Sequence, residues 1–133
     1  MIPKFRVAYK NKILGEIGAI DFIDETVTIP VYDSETGEYL AYYELGLNQV
    51  TLMQSTGLFD KQGYGIWEGD VVEFEDADDI ENVYINRGVI EWCQGGFTVS
   101  NRTNVTLDDL IDGDKLEVTI IGNVWENPEL MEG

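Results

Sequence analysis

The chain has 133 residues, 44% of them hydrophobic, with one cysteine, no histidine and a formal net charge of −18. That length suits one domain around a single core, and no apolar run reaches the ~18–20 residues that a membrane span needs. The missing histidines close the usual serine and cysteine nucleophile mechanisms, and the lone Cys93 excludes an intramolecular disulfide and a thiolate zinc site.

The charge is unevenly placed. Lys4, Arg6, Lys10 and Lys12 put +4 on residues 1–12, which leaves −22 on residues 13–133. A body this negative repels phosphate backbones, so direct nucleic-acid binding is not expected, and neither is membrane contact. It suits a well-solvated surface or an acidic face offered to a basic partner. The opening residues lack the apolar core of a signal peptide, so a cytoplasmic location is expected.

Residues 4–10 alternate, with Phe5, Val7 and Tyr9 on one face and Arg6 and Ala8 on the other, as in a half-buried strand. Residues 13–23 and 26–32 are β-rich. Pro30 has no N–H to give a ladder, which places it at an edge or a bulge. Asp33-Ser-Glu-Thr-Gly37 reads as a turn, and residues 38–45 return as a tyrosine-rich strand to close a hairpin. Residues 48–56 are ambiguous and include a candidate helical turn. Asp60-Lys-Gln-Gly63 and Glu68-Gly-Asp70 read as turns, the second opening into a strand over residues 71–74. Residues 75–81 are too acidic for a central strand and read as a solvated loop. Residues 83–92 and 97–100 pair across Gly95-Gly96. Thr106 to Gly113 is the one helical stretch, about two turns long, capped by Thr106 with Asp108 and Asp109 in the first turn. Residues 115–125 form the last strand.

Many short strands, glycine turns and one short helix predict an all-β, mainly antiparallel fold, a small barrel or roll. Phe5, Val71, Phe74, Val89, Trp92, Phe97, Val99, Ile121 and Val124 are expected to point inward.

The candidate functional residues are mostly acidic. Residues 68–81 hold eight carboxylates and no base, which makes Glu68, Asp70, Glu73, Asp76, Asp78, Asp79 and Glu81 a candidate face for a basic partner. Crowding is expected to raise carboxyl pKa values. Asp76, Asp78, Asp79 and Glu81, or Asp108, Asp109, Asp112 and Asp114, offer oxygen ligands, but neither set matches the twelve-residue calcium loop. No metal and no cofactor are therefore expected. Gly57, Gly63, Gly65 and Gly69 are too widely spaced for a phosphate loop. Gly57, Gly63, Gly69, Gly95 and Gly96 are assigned to structural turns. Trp67, Trp92 and Trp125 read as anchors of the core or its rim.

Three segments carry a family resemblance: Lys4-Phe-Arg6 with its strand; Leu52-Met-Gln-Ser-Thr-Gly-Leu-Phe-Asp-Lys-Gln-Gly63 with Ile66-Trp-Glu-Gly-Asp-Val-Val72; and Gly88-Val-Ile-Glu-Trp92, Gly96-Phe-Thr-Val99 and Ile121-Gly-Asn-Val-Trp-Glu-Asn-Pro-Glu-Leu130. Together they resemble the YopX family, small proteins encoded mainly by bacteriophages and prophages. The chain departs from the family pattern at Ser55 and at Tyr64-Gly65, outside the glycine skeleton. The resemblance implies a single domain over residues 1–133, with N-terminal β-hairpins (residues 1–48) and an SH3-like barrel region (residues 49–133), in the cytoplasm of a bacterial host. It brings no catalytic residues. The expected function is non-enzymatic: a phage or prophage accessory protein that self-associates as a homo-oligomer, with a basic host protein as a candidate partner. The alternative is an acidic mimic of nucleic acid that occupies the site of a host DNA- or RNA-binding enzyme.

Overall fold

In the computed structural model the described residues are 3–77, 83–93, 95–101 and 105–131, and the chain parts into two compact units, Met1–Gln54 and Ser55–Gly133. Strands dominate both.

In the first unit, β1 (Phe5–Tyr9) pairs antiparallel with β2 (Lys12–Glu16). Lys10 and Asn11 take φ of 50° and 65° between them, the backbone of a two-residue hairpin turn. The β1–β2 register shifts between Val7 and Ala8, with Leu14 the extra residue on β2, and Val7 and Ala8 are both buried. Strict alternation had placed Ala8 outward, and β1 does keep its alternation against β6, through Val7↔Leu52 and Ala8↔Thr51; Ala8 is nonetheless buried, on the opposite face of the strand from Val7. The other edge of β1 takes the first part of β6 (Thr51–Phe59), from Phe5↔Gln54 to Ala8↔Thr51. A second sheet holds β3 (Ala19–Asp21), β4 (Thr26–Tyr32) and β5 (Tyr39–Gly46), with β4 in the middle. Val7, Val27 and Ile29 form the core of this unit, with Ile17, Ile20, Leu45, Leu47, Val50 and Leu52 packed against it. β3 reaches only Thr26–Thr28 of β4, so Pro30 lies beyond that pairing. The ambiguous segment resolves into a 3₁₀ turn over Leu47–Gln49, followed by β6.

In the second unit the distal half of β6 pairs with β7 (Gly65–Trp67). A four-stranded antiparallel sheet follows in the order β10-β9-β8-β13, from β8 (Asp70–Ala77), β9 (Val83–Cys93), β10 (Gly96–Asn101) and β13 (Thr119–Asn123). Its core is Ile66, Val72, Phe74, Ile90, Val99, Leu110, Leu116 and Val118. As described, this sheet is open, with β10 and β13 at its ends.

Several elements differ from the sequence reading. β8 continues through Glu75 and Asp76 to Ala77, because β9 pairs along it from Val71↔Val89 to Ala77↔Val83; residues 78–82 of the expected loop lie outside the described residues. The helix α1 is only Leu107–Leu110. Ile111 turns extended at ψ 135°, so that β11 (Ile111–Asp112) can pair with β12 (Lys115–Leu116). The expected long last strand is broken between β12 and β13, where the Glu117 N–H reaches back to the Leu110 carbonyl at 2.8 Å. Of the residues expected inward, Val71, Phe74 and Val99 are buried, but Trp92 is 48% exposed. Trp92 faces Phe97, two pairs beyond the buried Ile90↔Val99 step, so it shares the core face of the hairpin but extends past the core.

Candidate functional site

The glycine- and aspartate-rich run of the sequence builds a buried hub. Asp60 is fully buried. Its Oδ1 accepts from the Gln62 and Tyr64 N–H groups, both at 2.9 Å, and its Oδ2 accepts from the Ile120 N–H at 3.2 Å. One carboxylate therefore both shapes its own turn and ties it to β13, sixty residues away. Gly63 (φ +89°) closes that turn, its N–H donating to the Asp60 carbonyl at 3.0 Å.

The second expected turn is a three-way junction. Gly69 has φ +88°, donates to the Ile90 carbonyl at 2.7 Å and accepts from the Val124 N–H at 2.9 Å. Asp70, 3% exposed, accepts from the Trp67 N–H at 2.8 Å. Asn123 closes the end of β13 by accepting from Trp125 and Glu126 N–H groups at 3.1 and 2.9 Å. Gly95 (φ +83°) lies between β9 and β10, whereas Gly96, expected in the turn, is the first residue of β10 and pairs with Cys93. Gly57 stands inside β6, not between strands. Its φ of +75° falls where the β6–β7 register shifts, so its conformation serves a bulge.

Of the seven acidic candidates, Glu68, Asp70, Glu73 and Asp76 lie among the described residues. Asp70 shares the parity of Val72 and Phe74, on the core side of β8, while Glu73 and Glu75 alternate to the other side. Glu73 stands across from Arg87 in the ladder and pairs with it at 3.3 Å. Glu68 is half-buried and Asp76 belongs to β8. Asp78, Asp79 and Glu81 lie outside the described residues. In the other acidic set, Asp109 is engaged in a capping box: its Oδ2 accepts from the Thr106 N–H at 2.8 Å, and its own N–H donates to the Thr106 hydroxyl. Asp112 and Asp114 flank Gly113 at the β11–β12 turn. No three acidic or thiol side chains among the described residues converge as metal ligands. No helix among them is long and apolar enough to cross a membrane.

The Asp33 and Asp109 carboxyls are displaced downward from the ordinary range, opposite to the effect expected of crowding. The Thr36 and Glu35 N–H groups lower Asp33, and the Thr106 N–H, followed by its hydroxyl, lowers Asp109. Local donors outweigh desolvation at these sites, since hydrogen bonds to a carboxylate favour its charged form.

Apolar side chains instead dominate one exposed element. Beyond Ile29, the β4–β5 hairpin carries Tyr32, Tyr39, Leu40, Tyr42 and Tyr43, each more than half exposed. Ile29↔Tyr43 and Pro30↔Tyr42 are ladder partners, so Tyr43 stands on the Ile29 face and Tyr42 on the opposite one. Tyr32 and Tyr39 meet edge-to-face at 6.1 Å. The loop between β3 and β4 adds Phe22 and Ile23, 78% and 94% exposed, set in place by the Asp21 carboxylate accepting from the Ile23 and Asp24 N–H groups.

The YopX protein family model matches residues 4–132. The chain belongs to the YopX family. Its YopX signature is thereby placed: Asp60, Gly69, Asp70 and Asn123 are all engaged in holding turns and strand ends. Gly88, in the same signature, lies where a Cβ would come within 2.6 Å of Val99 Cγ2 and 2.9 Å of the Ser100 carbonyl. A solved structure described as protein EF1440 from Enterococcus faecalis is similar in fold, with a TM-score of 0.67 and 24% identity over 99% of both chains. No curated protein matches the chain. Sequence reasoning found the YopX turns but missed the reach of Asp60 to β13 and the burial of Leu110, Leu116 and Val118. It did single out the tyrosine-rich strand.

Proposed function

We propose that this chain is a non-enzymatic phage or prophage accessory protein of the bacterial cytoplasm, working through protein contacts that include contact with its own copies. The observation that carries this reading is the β4–β5 hairpin, whose outer half exposes large apolar side chains on both faces. A two-stranded ribbon is marginal in water on its own, and contiguous exposed apolar surface of this kind marks interaction sites. The signature residues, occupied as they are with the backbone, support a scaffold more than a reaction centre. In the second unit, the β8-β9-β10 meander with β13 antiparallel to β8 supports the finer reading of an SH3-like barrel; an experimental structure with a ladder closing β10 onto the β6–β7 pair would bear this out, and an open sheet there would reject it.

The acidic-mimic reading draws on charge. Eighteen of the 26 acids and four of the eight bases lie in residues 55–133, leaving −14 there and −4 in residues 1–54. The two readings separate by experiment. Two differently tagged copies are co-expressed, and one is captured at rising salt. Self-association through apolar surface retains the second copy as salt rises. A mimic captures basic nucleic-acid-binding proteins instead and releases them steeply with salt. Failure of one copy to retain the other rejects self-association.

A further inference from the structure

The outer edge of β5 is one place where the fold leaves backbone groups ready for another strand, and the ladder pattern shows which ones. Thr28 accepts from the Gly18 N–H at 2.7 Å, so its carbonyl points away from β5. In antiparallel pairing a residue's N–H and C=O project to the same edge, and this orientation alternates along the strand. Thr28↔Glu44 and Pro30↔Tyr42 are therefore pairs whose backbone groups face outward, and Ile29↔Tyr43 faces inward. Pro30 fits this phase, since the missing N–H would have pointed away from β5. On β5 itself, Tyr42 and Glu44 turn their N–H and C=O groups to the free edge; β5 ends the order β3-β4-β5.

Edges of this kind are usually blunted by proline, lysine or shortness. β4 carries Pro30, but β5 runs eight residues, Tyr39–Gly46, with no proline and no base. It offers Tyr-Leu-Ala-Tyr-Tyr, whose three tyrosines have high strand propensity, and Glu44 is its only charge.

We infer that β5 pairs antiparallel with β5 of a second copy about a two-fold axis at Tyr43, joining two three-stranded sheets into one of six strands. The inference rests on the self-association reading and specifies its surface. Three features on the strand select a second copy as occupant. In this register the outward-facing residues meet each other, Tyr42 opposite Glu44 of the other copy and Glu44 opposite its Tyr42, so both pairs can exchange backbone hydrogen bonds. Tyr43 meets Tyr43 in a close non-hydrogen-bonded pair, and Ala41 lies opposite Leu45. No carboxylate directly opposes another, which matters for a chain of charge −18. The edge also lies in the unit of charge −4, where two copies repel least. A closed two-fold contact of this type is isologous and self-limiting.

The test uses the full chain. Tyr42→Pro removes one outward donor at a position where edge proline is tolerated, and Tyr42→Thr keeps that donor while removing the ring. Sedimentation should show the parent and Tyr42→Thr as dimers, and Tyr42→Pro, with parental circular dichroism, as a monomer at the same concentration. Hydrogen exchange on the parent provides a second reading that needs no substitution: the Tyr42 and Glu44 amides should gain protection as concentration rises through assembly. A folded Tyr42→Pro that assembles like the parent overturns the edge pairing alone, as do Tyr42 and Glu44 amides whose exchange ignores assembly. A parent that stays monomeric overturns both this pairing and the self-association on which it rests.

Discussion

Replacing Asp60 tests how the signature run holds the second unit. In Asp60→Ala the Gln62, Tyr64 and Ile120 N–H groups lose their shared acceptor. Hydrogen bonds to a charged acceptor contribute about 1.5–3 kcal/mol each, and an orphaned buried donor costs a similar amount. Gln62 and Tyr64 have exposed side chains, so water can reach that side of the turn and recover part of the loss. Ile120 is half-buried in β13 and has less recourse. The expected cost is about 3–5 kcal/mol, below the sum of three full bonds. At this chain length that corresponds to a melting temperature lower by roughly 10–20 °C. Asp60→Asn keeps the shape and one acceptor oxygen but sets an NH₂ against one of the donors, so it should fall between parent and Ala, at about 1–2 kcal/mol. Urea and thermal unfolding measure both, and hydrogen exchange should show the Ile120 amide opening first. An Asp60→Ala protein within about 0.5 kcal/mol of the parent, the range of ordinary surface substitutions, would refute the idea of a load shared through this carboxylate.

Gly69→Val should cost about 1–3 kcal/mol, because a β-branched residue is strained at positive φ, and parental stability would contradict the junction described here. Asp33 and Asp109 are both lowered in the folded state. Their stabilisation is therefore present above the unfolded-state carboxyl range and is lost as pH falls through their folded values. The stability gap between the parent and Asp109→Asn should accordingly be open at neutral pH and close in acid; a gap that widens in acid would mean the opposite shift. Added salt should raise the melting temperature, since screening shortens the repulsion among the 26 acids. A flat response would show those charges to be individually neutralised.

The β class, the hairpins and the turn glycines were legible because alternation and turn chemistry are local properties of sequence. What stayed hidden is non-local. Nothing near Asp60 announces that its second oxygen reaches Ile120. The capping box at Thr106 and Asp109 was readable, but not the pull of β12 on Ile111, which ends the helix after one turn. Trp92 has the parity of a core residue, and its exposure depends on where the core stops, which no period reports. The acidic run appeared uniform in sequence, yet register assigns Asp70 to a buried turn, Glu73 to Arg87, and Glu75 and Asp76 to a strand. The tyrosines of β5 were conspicuous from the start because they break alternation, and the structure gives the reason: residues 39–43 of that strand are exposed on both faces, and it packs on the core only further along, at Leu45.

Self-association is the central claim, and sedimentation equilibrium of the full chain over a micromolar concentration series tests it most directly. The account predicts a weight-average mass that climbs above that of a single chain and is maintained or strengthened as salt rises. A mass fixed at one chain across the series, at low and moderate salt, would contradict it.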